Sequence, residues 1–305
     1  MSVQPLYRRG DTVDRAFIVS KGPVLVGLPG RDPHSIEANS IVVGTLEFLL
    51  ADVHHTQRRL FDLYLGQAGE ATGITLDVVA EMINQFHFGY NSNIFLGRLI
   101  EFTNHAFAES RRDLKDVLRP YQRRARLYVR MVDKLYDIGV RHQLRMLCDL
   151  AALRRDTALY RDGELYGRPS VFHAVVSPPS TRSRYVELYK KNSLICREGS
   201  RGKQMFVLLS GKIVVMAEGL YVATIETPGE AFGELSLFLD GKRTATLIAE
   251  EDTNVLTIEH KNIRHFVRHR CPTFFMSSAQ ALAERVYQNV TRIDRMYALA
   301  NGPNP

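Results

Sequence analysis

A carboxylate and a guanidinium group interrupt an otherwise apolar segment in the last third of the chain. The segment Phe232–Thr246 reads FGELSLFLDGKRTAT and contains Glu234 and, nine residues later, Arg243. A direct salt bridge between these two side chains would be costly to bury and would leave the glycine-rich approach unexplained. The pattern therefore favours a polar ligand that lies between the carboxylate and the guanidinium.

The local elements expected around this pair form an anion site. Pro228 and Gly229 predict a turn, and the residues after Gly233 predict a short helix whose free N–H groups point back toward that glycine. Arg243 enters the next strand and can donate two hydrogen bonds to one phosphate group. Glu234 repels a phosphate but can accept a hydrogen bond from a sugar hydroxyl. A ligand with one charged phosphate and a free ribose hydroxyl satisfies all of these groups.

Strand-like and helical patterns divide the rest of the chain. Between residues 185 and 259, short apolar runs such as MFVLL, KIVVM and NVLTIE alternate with Gly-containing turns, which predicts an antiparallel roll or barrel. Residues 7–64 show similar short strands, whereas residues 76–161 have apolar residues at helical spacing. The chain has 305 residues and is 45% hydrophobic, enough for buried cores in two domains.

Residues 185–300 resemble the cyclic-nucleotide-binding domain of catabolite activator proteins, protein kinase regulatory subunits and cyclic-nucleotide-gated channels. The segments that carry the resemblance are REGSRGKQMFVLLSGKIVV, PGEAFGELSLF and RTAT. The resemblance implies an α+β fold with an antiparallel, jelly-roll-like β-roll and C-terminal helices. It also implies a non-enzymatic sensor whose ligand is cAMP or cGMP, with no cofactor, and whose last helices cap the base.

The same resemblance assigns roles to individual residues. Glu234 would accept a hydrogen bond from the ribose 2′-hydroxyl, and Arg243 would bind the cyclic phosphate together with nearby backbone N–H groups. Thr244 stands where the family often has a hydroxyl that contacts the phosphate or a guanine amino group; an ordinary strand residue is the alternative. The predicted ligand-binding residues are Gly233, Glu234, Leu235, Arg243, Thr244 and Ala245.

The N-terminal region resembles the same domain more faintly. The likeness is carried by LYRRGDTVDRAFIVSKGPVLVG and NSIVVGTLEFLL, and the tetrapeptide GTLE at 44–47 stands where GELS stands in the later copy. Thr45 thus replaces the ribose-binding carboxylate, and the counterpart of Arg243 falls near one of three residues: His54, Arg58 or Arg59. This departure predicts a degenerate copy that is used for packing.

These segments predict four parts of the chain. They are a degenerate β domain at 1–66, a helical region at 67–168, a proline-rich linker at 169–184 and the nucleotide-binding domain with its closing helices at 185–305.

Basic residues concentrate in the helical region around Pro120. They are Arg111, Arg112, Lys115, Arg119, Arg123, Arg124, Arg126, Arg130 and Lys134. An anionic partner (RNA, a membrane surface or an acidic protein) and a solvated helix face with interleaved aspartates both fit this pattern. One hypothesis is therefore that this region contacts a protein partner.

The last predicted helix has a stripe of residues at alternating steps of three and four. The stripe contains Ala279, Leu282, Val286, Asn289, Ile293, Met296 and Ala300. Such a stripe is typical of a coiled-coil seam, in which a single Asn fixes the register. A homodimer through residues 274–300 and packing on the chain's own β domain are both consistent with it.

Other function classes find little support in the residues. "GKQMFVLLSGKI" lacks P-loop spacing, Gly-x-Ser-x-Gly is absent, and the histidines show no metal-ligand spacing. Only NGPNP follows Ala300, which makes DNA binding by a helix-turn-helix there unlikely. Cys148, Cys196 and Cys271 have no close pairing, and neither a signal peptide nor an 18-residue apolar run occurs, so we expect a cytoplasmic protein without a membrane span. The alternative to a sensor is a structural or interaction module that has the same fold and no longer responds to ligand.

Overall fold

Two antiparallel β-rolls joined by long helices form the chain, as seen in a computed structural model. The structure describes residues 3–38, 40–55, 57–167, 174, 179–183, 185–239, 241–269 and 272–301. The predicted α+β class with β-rolls and C-terminal helices is confirmed. The predicted linker residues 169–173, 175–178 and 184, and Cys271, lie outside the described residues.

The first roll consists of seven described strands and two single-turn helices. They are β1 (Gln4–Tyr7), β2 (Arg15–Lys21), β3 (Pro23–Gly27), β4 (His34–Glu37), β5 (Ile41–Val43), α1 (Leu46–Leu49), α2 (Ala51–His54), β6 (Asp62–Leu65) and β7 (Glu70–Thr75). The sheets have the orders β1-β6-β3-β4 and β5-β2-β7. Because β7 pairs with β2 along its length, this roll continues to Thr75, beyond the predicted boundary at residue 66.

The second roll repeats this topology. Its elements are β8 (Ser180–Ser183), β9 (Val186–Tyr189), β10 (Leu194–Cys196), β11 (Gln204–Ser210), β12 (Ile213–Ala217), β13 (Leu220–Ile225), β14 (Ala231–Phe232), α8 (Leu235–Phe238), β15 (Thr246–Ala249) and β16 (Thr253–Glu259). The sheet orders β10-β15-β12-β13 and β14-β11-β16-β9-β8 match those of the first roll, with β9 and β8 added at one edge. Residues 180–183 of the predicted linker thus form an edge strand, β8, because they pair with β9.

Each roll is followed by a short helix and then a long one. The first roll continues into α3 (Leu76–Met82) and α4 (Phe86–Asp113). The second continues through a 3₁₀ turn (His260–Asn262) and α9 (Ile263–His269) into α10 (Phe274–Asn301). The long helices α4 and α10 have 28 residues each and pack against each other.

The α4–α10 pair is parallel and in register. Gly89 lies directly against Phe275, and further along Asn289 Nδ2 donates to Thr103 Oγ1 at 3.2 Å. The residue numbers differ by 186 in both contacts (275 − 89 and 289 − 103), so the two helices run in the same direction. The pair therefore has the geometry of a two-stranded coiled coil within one chain.

The stripe in the last helix is the α10 side of this seam. Ala279, Leu282, Val286, Asn289, Ile293 and Met296 are all buried, and so are the α4 residues with the same offset: Asn93, Leu96, Ile100, Thr103, Phe107 and Ser110. The stripe is therefore covered by α4 of the same chain. The prediction that the stripe forms a homodimer seam through residues 274–300 is wrong, and so is the alternative that it packs only on its own β domain. The physical reason is that the first copy supplies, within the chain, the helix that a second chain would otherwise provide.

The helix pair also connects the two rolls reciprocally. Helix α10 packs on α1 of the first roll, and α4 packs on α8 of the second. A Cβ at Gly97 in α4 would lie 3.0 Å from Leu235, and His54 Nε2 lies 2.6 Å from Glu284 Oε2 in α10. One continuous hydrophobic core runs through the first roll, the helix pair and α8 of the second roll.

A helical bundle lies between the two copies in sequence. It consists of α5 (Lys115–Arg141), α6 (Arg145–Arg155) and α7 (Ala158–Gly167), which pack around a small core of Val132, Ala151 and Tyr160. Asp162 attaches α7 to its surroundings, because it accepts hydrogen bonds from Tyr121 Oη and from Arg295 Nε, both at 2.6 Å. The bundle is thereby linked to the C-terminal end of α10.

Candidate functional site

The segment that links β14 to β15 forms a tight cassette around Arg243. Gly233 has a φ of +70°, a conformation that favours glycine, and α8 begins two residues later. A Cβ at Gly233 would lie 2.5 Å from Arg243 Nη1, and a Cβ at Gly202 would lie 2.3 Å from Arg243 Nε. Both glycines are therefore needed for the arginine to pass this close to the backbone.

Hydrogen bonds hold the Arg243 side chain beneath the cassette. Arg243 is 7% exposed, and its Nη1 donates to Gly233 O at 2.9 Å and to Ser236 Oγ at 3.2 Å. The guanidinium carbon lies 5.4 Å from the centroid of the Phe206 ring. The backbone N–H of Arg243 donates to Ser200 O at 2.9 Å. The donor group is thus positioned before any ligand arrives.

Glu234 has a partner that sequence reasoning missed. Glu234 is 1% exposed and accepts a hydrogen bond from Arg285 Nη1 in α10 at 3.2 Å, and no ion pair joins it to Arg243. Its second oxygen, Oε2, is buried and has no hydrogen-bond partner among the described residues. Because the two partners are 51 residues apart, no local spacing signal could have indicated Arg285.

Five of the six predicted ligand-binding residues line one small cavity of about 40 Å³. They are Gly233, Leu235, Arg243, Thr244 and Ala245, and Arg285 lines the same cavity. The sixth, Glu234, adjoins it through its hydrogen bond with Arg285. Ligand pockets for small molecules typically enclose about 300–1,000 Å³. This cavity by itself is therefore too small for a nucleotide.

Larger cavities adjoin Arg243 on its other sides. One of about 860 Å³ is lined by Arg201, Lys203, Gln204 and His260 among others, and one of about 330 Å³ lies between the cassette and α4. Burial, and then the charge of Arg243, lowers the pKa of His260, so that this imidazole favours its neutral form. Burial raises the pKa of Cys196 to about 11, although Arg243 opposes the shift.

Comparison with known proteins identifies this part of the chain. The family model described as "Cyclic nucleotide-binding domain" matches residues 186–270. Residues 186–270 are a cyclic nucleotide-binding domain. The match ends before α10 and does not include the first roll.

The relatives of the domain include receptors and channels. The "Cyclic AMP receptor protein" of Thermus thermophilus is 30% identical over 111 residues, 35% of this chain and 51% of that protein. The "Cyclic nucleotide-gated channel beta-3" of Mus musculus is 30% identical over 87 residues, 27% of this chain and 12% of the channel. The crystal structure of the Thermus thermophilus catabolite activator protein has 29% identity and a TM-score of 0.33, with 37% of this chain and 54% of that chain covered. The chain thus spans about half or less of these relatives.

Backbone register identifies the first-roll counterpart of Arg243. Gly199 N donates to Arg243 O at 2.8 Å, and Gly10 N donates to Arg59 O at 2.9 Å. Likewise, Arg243 N donates to Ser200 O and Arg59 N donates to Asp11 O, both at 2.9 Å. Of the three residues that the sequence left open, Arg59 is therefore the counterpart.

The described residues contain neither a metal site nor a membrane-spanning helix. Within them, no group of three or more His, Cys, Asp or Glu side chains is arranged to hold a metal ion. No helix in the described part of the chain is sufficiently long and apolar to cross a lipid bilayer.

Proposed function

We propose that the protein is a non-enzymatic cyclic-nucleotide sensor that binds one cAMP or cGMP in its second roll. The observation that carries the proposal is the buried pair of complementary groups in the cassette. Arg243 presents a buried guanidinium, and Glu234 keeps a buried carboxylate oxygen that has no donor among the described residues. An unpaired buried carboxylate oxygen is unfavourable unless a donor reaches it, and a ribose 2′-hydroxyl is such a donor.

The mechanism follows from the position of Arg285. A nucleotide places its phosphate on Arg243 and its ribose hydroxyl on Glu234, where Arg285 of α10 now donates. Because the cavity beside Arg285 is only about 40 Å³, we infer that α10 shifts relative to the cassette when nucleotide binds. Helix α10 is one half of the seam with α4, so the shift changes the packing of the first roll and of the bundle that follows α4. Ligand binding then favours one seam arrangement over another.

Isothermal calorimetry with cAMP and with cGMP tests the proposal. We expect a stoichiometry of one per chain, and at least a tenfold loss of affinity in Arg243→Ala and in Glu234→Gln. Lys242→Ala is the matched control, because Lys242 is an exposed basic residue adjacent to Arg243. No heat with either nucleotide at concentrations well above physiological contradicts the sensor. The preferred base then decides the role of Thr244.

The second candidate is an interaction module that has the fold and no longer responds to ligand. The observation that favours it is the small cavity, in which Arg285 already occupies one oxygen of Glu234. The variant Arg285→Ala distinguishes the sensor from the interaction module. In a sensor with a closed site, opening it alters nucleotide affinity; in a silent module, neither the wild type nor the variant binds nucleotide.

We assign the output of the sensor to the helical bundle. Large apolar side chains are exposed on the outer faces of α5 and α6: Leu127 48%, Met131 69%, Ile138 36%, Met146 78%, Leu150 39% and Leu153 72%. We call these six residues the α5–α6 face. Exposed apolar patches of this kind mark interaction sites, and exposed Arg123, Arg130 and Lys134 lie beside it. The chemistry suits a protein partner with an acidic amphipathic helix.

Affinity capture with and without nucleotide tests this assignment. A partner that depends on the α5–α6 face is retained by the wild type and lost from Met131→Ser and Leu153→Ser. Val117→Ser, an exposed apolar residue outside the face, is the control. Retention that is the same for all of these variants contradicts the assignment.

A further inference from the structure

The first roll contains a fully buried ion pair at the position of the ligand site in the second roll. Arg59 Nη1 donates to Glu47 Oε2 at 3.0 Å, and the two side chains are 1% and 0% exposed. The backbone N–H of Leu60 donates to the other carboxylate oxygen, Glu47 Oε1, also at 3.0 Å. Both oxygens of Glu47 are therefore held by donors from two consecutive residues.

The surroundings of Arg59 repeat those of Arg243. Arg59 Nη1 donates to Gly44 O at 2.8 Å, as Arg243 Nη1 donates to Gly233 O at 2.9 Å. Both glycines have positive φ, +77° and +70°. The second acceptor of each Nη1 group is a side chain that stands three residues after this glycine, and in the first roll it is Glu47.

The corresponding acceptor in the second roll is Ser236, whose Oγ lies 3.2 Å from Arg243 Nη1. A serine leaves the arginine charge without a counter-ion, whereas a glutamate supplies a carboxylate. A carboxylate and a phosphate accept the same pair of hydrogen bonds from an arginine and a neighbouring N–H. The two rolls thus differ in the source of the anion at this position: the chain itself supplies it in the first roll, whereas a ligand would supply it in the second.

We propose that Glu47 is a built-in ligand of the first roll, in which its carboxylate takes the place of a phosphate. The proposal deepens the proposed function, on which the comparison with the second roll rests; the buried ion pair itself does not depend on that function. The first roll is then permanently occupied, and it serves as the fixed half of the α4–α10 pair. Without the carboxylate, Arg59 and Leu60 N–H form an anion site for a phosphate group.

The first arm of the test removes the carboxylate and uses inorganic phosphate as the probe. Glu47→Ser is made in an Arg243→Ala background, so that the second roll contributes no phosphate binding through its arginine. We expect this protein to melt at a lower temperature than the Arg243→Ala parent in phosphate-free buffer. Phosphate should raise its melting temperature in a concentration-dependent manner, because a ligand of the folded state stabilises that state.

Two control proteins show whether the effect of phosphate depends on Arg59. Phosphate should not shift the melting temperature of the Arg243→Ala parent, nor that of the same protein with Glu47→Ser and Arg59→Met together. A folded Glu47→Ser variant whose melting temperature is independent of phosphate overturns the proposal. This arm involves no nucleotide, so its result is separate from the success or failure of the sensor.

If Glu47→Ser does not fold, the reverse substitution in the second roll tests the proposal instead. Ser236→Glu places the carboxylate beside Arg243, where the proposal expects a new pair. Adding Arg243→Met should then lower the melting temperature more in the Ser236→Glu protein than in the wild type. Equal effects in the two backgrounds overturn the proposal. If the wild type binds nucleotide, Ser236→Glu should also lower its affinity at least tenfold.

Discussion

Removal of Arg285 tests the contact between α10 and the cassette. Breaking a buried ion pair by deleting one partner costs about 3–5 kcal/mol. Glu234 is 1% exposed but the Arg285 side chain is 27% exposed, so water already screens one side of the pair. We therefore expect Arg285→Met to lower the free energy of unfolding by about 2 kcal/mol, below the range for a fully buried pair. The reason is that neither oxygen of the buried Glu234 carboxylate then has a partner among the described residues.

Thermal and urea denaturation measure this loss. A change of 1 kcal/mol shifts the melting temperature by about 2–4 °C in domains of 150–250 residues, so we expect a fall of about 4–8 °C. Glu234→Gln in the Arg285→Met background should recover most of the loss, because it removes the unpaired charge and retains the shape. Lys261→Met is the control: Lys261 pairs with Glu259 at 76% and 46% exposure, and such a pair contributes about 0–1 kcal/mol.

Two results would refute the reasoning. An unchanged melting temperature in Arg285→Met would mean that Glu234 does not depend on α10 for its partner. Additive effects of Arg285→Met and Glu234→Gln would mean that the two side chains are not coupled. Either result would also remove the proposed link between ligand and helix movement, because that link passes through this contact.

Three further predictions concern the surroundings of Arg243. Gly202→Ala should lower nucleotide affinity at least tenfold in calorimetry, because the added Cβ would lie 2.3 Å from Arg243 Nε. Gly73→Ala is the control and should leave the affinity unchanged, because no side-chain atom would lie closer than 3.7 Å to its Cβ. Burial lowers the pKa of His260 from its ordinary value of 6.5. The neutral imidazole therefore makes its full contribution to stability above pH 6.5, and this contribution is lost as the pH falls toward the lower pKa of the folded state. Melting temperature between pH 7.5 and 5.5 should therefore fall more in the wild type than in His260→Gln; identical slopes would contradict this. Burial raises the pKa of Cys196 to about 11, so iodoacetamide at pH 8 should modify it far more slowly in the native protein than in urea, as mass spectrometry can measure.

Local patterns in the sequence were enough to predict the second roll and its cassette. Strand alternation and closely spaced turns depend on residues that are near one another in the chain, and so does the spacing from Glu234 to Arg243. The steps of three and four in the last helix fitted either packing on the chain's own β domain or a coiled-coil seam with an Asn that sets its register. Asn289 does so, through hydrogen bonds to Thr103 at 3.2 Å and to Asn104 at 2.7 Å.

The identity of the partner across that seam was not available from the sequence. An amphipathic stripe requires an apolar surface to cover it, but a second chain, a β domain or another helix of the same chain meets this requirement equally well. The structure selects α4, because the second roll repeats the topology of the first and places its long helix beside the first one. The same assembly brings Arg285 to Glu234.

By itself, the sequence determined the fold class and the cyclic-nucleotide-binding domain, since both rest on patterns of residues that are near one another in the chain. Only the tertiary structure decided which charged groups meet. Glu47 lies in α1 and Arg59 lies between α2 and β6, and their pairing depends on how β5, α1 and β6 come together. Contacts between distant residues follow from packing, and packing is a property of the whole chain.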